Sequence, residues 1–210
     1  DFGGGVIGNV GCHYMDLPHW ALDLRDCSSV EVVDGPPVHP ETVPPWLILR
    51  YGYPARGGRP PVKLTWYHGD RKPEILESLL PEVPSAAGAG RRKEPWASGV
   101  LFVGAKGMLL SDYTRHLLLP QAQYAGFEPP KPFIADSIGH HAEWIAACKN
   151  GGPTTCNFDY SGALAETVLL GNVAYRAGKK LELDPAGLRA VNCTEAEPFV
   201  HHRYRAGWSV

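Results

Sequence analysis

The chain has 210 residues, of which 44% are apolar and 20% charged, with a formal net charge of −2. That length buries a core of ordinary size, and the near balance of charge lacks the basic footprint of a nucleic-acid or anionic-membrane partner. No apolar run is long enough to span a bilayer, and 20 prolines with 24 glycines exclude a plain helical bundle.

The first residue is Asp1 rather than Met, and the sequence reads as a piece cut at a domain boundary, a single domain over residues 1–210. From Val6 to about Leu24 the apolar positions Val6, Val10, Leu17, Trp20, Ala21 and Leu24 suit a helix. Pro18 either opens a second segment or kinks one long helix. Within it, Asn9 and His13 are four apart and His13 and Asp16 three apart, so all three project from one side. An amide, an imidazole and a carboxylate beside the Gly3-Gly4-Gly5 lead-in have the chemistry to orient and deprotonate a small polyol. Gly4 and Gly5 let a ligand approach the backbone. The plainer alternative is a helix start whose polar groups are satisfied structurally.

Ser29–Val33 reads as a short strand. Beyond a proline-rich crossing, Leu47–Tyr53 and Val62–Tyr67 alternate as strands, and the glycine-containing loop between them favours antiparallel pairing. Residues 70–98, with four prolines and Ser-Ala-Ala-Gly-Ala-Gly at 85–90, read as a long, partly mobile loop. Trp96, beside that loop, is the aromatic best placed to stack on a sugar, whereas Trp66 and Trp144 sit in regular patterns that suit a core. Gly99–Val103 and Gly107–Leu110 predict a hairpin, and residues 117–120 one more strand.

Ser137 is placed to cap a helix through Lys149, with Ile138, Ala142, Ile145 and Cys148 on one face. A second helix over 160–177 carries the stripe Leu164, Val168, Gly171 and Tyr175 and stops at Gly178. Thr194 is a cap for a short final helix. Strands in one block with helices at both ends predict an α+β fold, a mostly antiparallel open sheet covered on one face by helices.

Five cysteines form no CxxC pair, and their odd number leaves a thiol free, so buried free thiols in a reducing compartment are expected. An export signal upstream of Asp1 would change that compartment. His140-His141-x-Glu143 lacks metal-site geometry, because successive helical residues diverge, and no metal is expected. Arg203 and Arg205 suit either a carboxylate ligand or surface ion pairs.

Taken in order, several segments resemble the C-terminal domain of the glucose–fructose oxidoreductase / inositol dehydrogenase (Gfo/Idh/MocA) family, in its bacterial branch. They are the Gly-Gly-Gly run, Asn9-Val10-Gly11-Cys12-His13 with Asp16, and Thr65-Trp66-Tyr67-His68-Gly69. Gly139-His140-His141-Ala142-Glu143-Trp144, Asn157-Phe158-Asp159-Tyr160, Leu169-Leu170-Gly171-Asn172 and Tyr204-Arg205-Ala206-Gly207-Trp208 extend the likeness over nearly the whole chain.

The resemblance implies a fold like the C-terminal domain of dihydrodipicolinate reductase. It implies NAD or NADP in the parent protein, held by a Rossmann domain that this chain lacks, and no cofactor on this chain alone. No GxGxxG follows a strand here. It further implies a sugar or polyol substrate, His13 as proton acceptor, and homo-oligomerisation through the open sheet face. Where the family commonly has Asp-x-x-x-His, this chain has Asn9, which hydrogen-bonds but holds no charge. Asn9 thereby favours one alternative, a non-catalytic module that keeps this domain for sugar binding or subunit contact; a further alternative is a purely structural association module. The register of strands 47–53 and 62–67 is open at this level: the uncovered face carries either Ile48, Arg50, Thr65 and Tyr67, or Leu47, Leu49, Tyr51 and Tyr53.

Overall fold

The computed structural model describes residues 3–85, 90–201 and 203–208. The chain divides into two compact units, Asp1–Val100 with Leu164–Val210, and Leu101–Ala163. The architecture is α+β, with open antiparallel sheets.

In the first unit, α1 (Gly5–Leu22) is one helix running through Pro18. Its buried stripe is Ile7, Gly11, Met15, Pro18 and His19, the spacing that the helical period dictates. Asp23 ends it in the left-handed region, and the Leu24 N–H returns to the His19 carbonyl at 2.9 Å. Arg59 donates to the Leu22 carbonyl at 2.8 Å and Arg56 to the Asp23 carboxylate at 2.8 Å, so cations stand where the helix dipole favours them.

Strands β1 (Ser29–Asp34), β2 (Leu47–Tyr53) and β3 (Val62–His68) form an antiparallel meander. After α4 (Phe158–Ala177), the strands β9 (Leu181–Asp184) and β10 (Arg189–Ala190) extend it to the order β10-β9-β1-β2-β3. Leu49 pairs with Trp66, Tyr51 with Leu64 and Tyr53 with Val62. Leu47, Leu49, Tyr51 and Tyr53 are all buried, and Arg50 is exposed. That settles the open register: the aromatic and aliphatic set faces the helices, and Ile48, Arg50, Thr65 and Tyr67 lie on the other face.

The helical cover fits closely. At Gly171 of α4 a Cβ would lie 2.3 Å from the Tyr51 hydroxyl and 2.5 Å from Leu49 Cδ1, so only glycine lets α4 approach β2 this far. The expected stripe Leu164, Val168, Gly171 and Tyr175 is buried as read.

Residues 70–98 differ from the expected loop. They hold a short helix, α2 (Ile75–Leu79), and a strand pair, β4 (Glu82–Pro84) with β5 (Arg91–Lys93). The exposed basic run 91–93 pairs through its backbone, which no apolar alternation announces. Residues 86–89 of the expected mobile stretch lie outside the described residues.

In the second unit, β6 (Val100–Gly104), β7 (Gly107–Ser111) and β8 (His116–Leu119) make a three-stranded sheet. Asp112 closes the β7–β8 turn by accepting from the Thr114 and Arg115 N–H groups at 2.8 Å each. Those bonds, the Thr114 N–H above all, hold its carboxyl down to about 2. The helix α3 (His140–Asn150) has Gly139 rather than Ser137 as its N-cap, and the Ser137 Oγ accepts from the Gly139 N–H. None of its residues is buried, so the expected face of Ile138, Ala142, Ile145 and Cys148 is not a core face, and Trp144 is 65% exposed. The Glu143 carboxylate takes the backbone N–H and hydroxyl of Thr155, tying the following loop to the first turn of α3. Thr194 opens a 3-10 turn ahead of α5 (Glu197–Val200) without a side-chain cap. No helix of the described residues is long and apolar enough to cross a membrane.

Candidate functional site

The stripe of α1 opposite its buried residues carries Val6, Asn9, His13 and Trp20, all exposed, with Asp16 half-buried beside them. The helix therefore brings the sequence-derived trio onto one side, spaced as i, i+4 and i+7. Because Ile7 and Met15 are each 1% exposed on the opposite side, the stripe stands on a firmly packed base. The middle of the helix is also tied at Tyr14, whose hydroxyl lies 2.6 Å from Ser98 Oγ.

The two glycines have structural work at the start of α1. Gly4 is the N-cap, no side chain caps the helix, and the Gly4 carbonyl accepts from Asn172 Nδ2 of α4 at 2.7 Å. Gly5 takes φ 66°, and a Cβ there would meet Val43 at 2.8 Å. The close approaches at Gly4 and Gly5 are thus made by residues of this chain, Asn172 and Val43. Trp96 is 4% exposed, its carbonyl accepting from Lys72 Nζ at 2.9 Å. The exposure expected of Trp96 and the burial expected of Trp144 are reversed, because local patterning does not reveal which face of an aromatic the rest of the chain covers.

Sequence reasoning passed over two buried histidines. His19 donates from Nδ1 to the Met15 carbonyl at 2.7 Å and meets the Tyr53 hydroxyl at Nε2, 3.0 Å away. His68 accepts from the Trp66 indole N–H at 2.8 Å and donates from Nε2 to the Pro44 carbonyl at 3.4 Å. Burial pushes both imidazoles below their ordinary value and keeps them neutral. The signal for His19 was its place four residues after Met15 on the Ile7–Gly11–Met15 stripe. Nearby Cys27 is buried, and desolvation pushes its thiol up to about 12.

Elsewhere, an apolar groove of about 470 Å³ runs over the β6–β8 sheet past Phe102, Met108, Leu118 and Tyr124. The His140 and His141 rings stand 4.5 Å apart, and among the described residues no three His, Cys, Asp or Glu side chains group as metal ligands. Arg205 lies 4.9 Å over the Trp208 ring.

Comparisons with protein-family models, with curated proteins and with solved structures give no match to this chain.

Proposed function

We propose that this chain is the substrate-side domain of a nicotinamide-dependent oxidoreductase that acts on a sugar, a polyol or a derivative of one. The observation that carries the reading is the exposed Asn9–His13 stripe of α1, held on a packed base, in a chain whose ordered motifs resemble the Gfo/Idh/MocA family.

A dinucleotide cradle does not fit the residues present. Every strand pairing with a defined register is antiparallel, and α1 follows no strand among the described residues. The nicotinamide, which serves as hydride acceptor, belongs to the rest of the parent protein. On this chain the chemistry is a proton transfer: the His13 imidazole takes the proton of the reacting hydroxyl, while the Asn9 amide and the Asp16 carboxylate hold neighbouring hydroxyls. Asn9 adds no charge to the imidazole's surroundings, which supports a second reading, a sugar-binding or association module without turnover.

Fluorescence titration of this chain with NADH and NADPH, beside a polyol and sugar oxidation panel on the parent protein, tests both readings. Turnover in the parent with no saturable cofactor binding at micromolar levels by the chain alone is the expected result. Polyol binding without turnover selects the second reading. Saturable binding of either cofactor by the chain itself overturns the domain assignment.

A further inference from the structure

His19 lies 1% exposed on the buried stripe of α1, and both of its ring nitrogens are engaged. A carbonyl only accepts, so the 2.7 Å contact with Met15 requires the proton on Nδ1. In the neutral ring Nε2 is then an acceptor, and the Tyr53 hydroxyl donates to it at 3.0 Å. The rings meet edge-on, with centroids 5.7 Å apart and planes at 85°. Thr167 of α4 in turn hydrogen-bonds the Tyr53 hydroxyl. A directed chain thus runs from α4 through β2 to α1, reaching the helix just after Pro18, where a backbone N–H is missing.

We infer that His19 is a proton-sensitive clamp: its neutral ring locks the C-terminal half of α1 onto Tyr53, and uptake of a second ring proton releases that half. The clamp acts on the half of α1 that follows His13 and Asn9 and does not rest on the function proposed above.

A second proton turns Nε2 into a donor aimed at a hydroxyl that already receives Thr167. The Tyr53 hydrogen must then turn away from the ring, and the partner beside it is the Thr167 hydroxyl, whose own hydrogen bond to Tyr53 has to reverse in a buried site. Other groups around the ring pull both ways. Asp16, on the same helix, favours the cation, as does the negative end of the α1 dipole, and Arg25 disfavours it. The sheet side brings Tyr53 and the protonated Cys27 thiol, and α4 brings Glu166, next to Thr167 and itself raised by burial. Desolvation is the largest influence on His19 and sets the direction, toward the neutral ring.

The test combines nitrogen-detected NMR of the His19 ring with hydrogen exchange of the α1 amides between pH 8 and 5, corrected for intrinsic exchange. The expected ring is the Nδ1–H tautomer, staying neutral below pH 6.5. A released ring takes its proton at about 6.5, so the open form of α1 should rise by as much as about thirtyfold at pH 5 over pH 8. In His19→Asn that pH-dependent part should vanish. The ring measurement needs no variant and stands even where His19→Asn does not fold. An Nε2–H tautomer, a ring titrating at the ordinary value with flat α1 exchange, or an unchanged pH response in His19→Asn would overturn the clamp. No substrate enters these readouts, so the clamp and the oxidoreductase reading fail separately.

Discussion

Arg50 and Glu31 meet at 2.9 Å across the β1–β2 ladder, on the sheet face turned away from α1 and α4. Their position fixes the character of the face through which self-association is proposed. It carries Ile48, Arg50, Thr65 and Tyr67 with Glu31, and the aromatic row of β2 is inside. An interface built on this face would engage the Arg50–Glu31 pair, and charge is screened within about 3 Å at 1 M salt. Sedimentation across a dilution series should therefore show a dimer that weakens as salt rises. A salt-independent dimer would locate the interface elsewhere.

Stability should fall in mild acid. Both His19 and His68 have folded-state values below their unfolded value of about 6.5, so the unfolded chain binds more protons as the pH drops through that point. The stabilisation is present above about pH 6.5 and is lost as the pH falls toward the folded values. Denaturant midpoints measured from pH 8 to 5 should decline over the lower half of that range. A midpoint that is flat or rises there would mean that one or both rings are charged in the fold.

Gly171→Ala should destabilise the first unit by about 1–3 kcal/mol, the usual cost of forcing atoms into a filled core. The added methyl would meet Tyr51 and Leu49. Chemical denaturation measures this, and a neutral result would show that α4 can rise off the sheet without cost.

Thiol chemistry should sort the cysteines. Cys148 and Cys156 are exposed, whereas Cys27 and Cys193 are buried and Cys27 is pushed up to about 12 by desolvation. At pH 8 a disulfide reagent should modify the first pair quickly and Cys27 only upon unfolding. Rapid labelling of Cys27 in the native protein would contradict its burial.

Much of the fold was legible in the sequence because alternation and helical period are local. Strands 47–53 and 62–67, the latter one residue longer in the fold, and the α4 stripe follow from them directly. Which face of β2 turns inward was not legible, since Ile48 and Leu49 are equally apolar and only the glycine approach of α4 decides between them. Pairs β4–β5 and β9–β10 are held by backbone bonds between short or charged segments, which carry no side-chain pattern. In the site, the spacing of Asn9, His13 and Asp16 was readable from the helix period, but the burial of Trp96 and the His19–Tyr53 contact join residues distant in the chain.

His13 on the exposed stripe of α1 is the proposed proton acceptor in a nicotinamide-dependent oxidation. The direct measurement is the turnover of the parent protein and its His13→Ala variant on a polyol or sugar that it oxidises, followed by NAD(P)H absorbance across pH. A fall of about a hundredfold or more is expected in the variant, with denaturation midpoints unchanged. Turnover equal to that of the unsubstituted protein would contradict it.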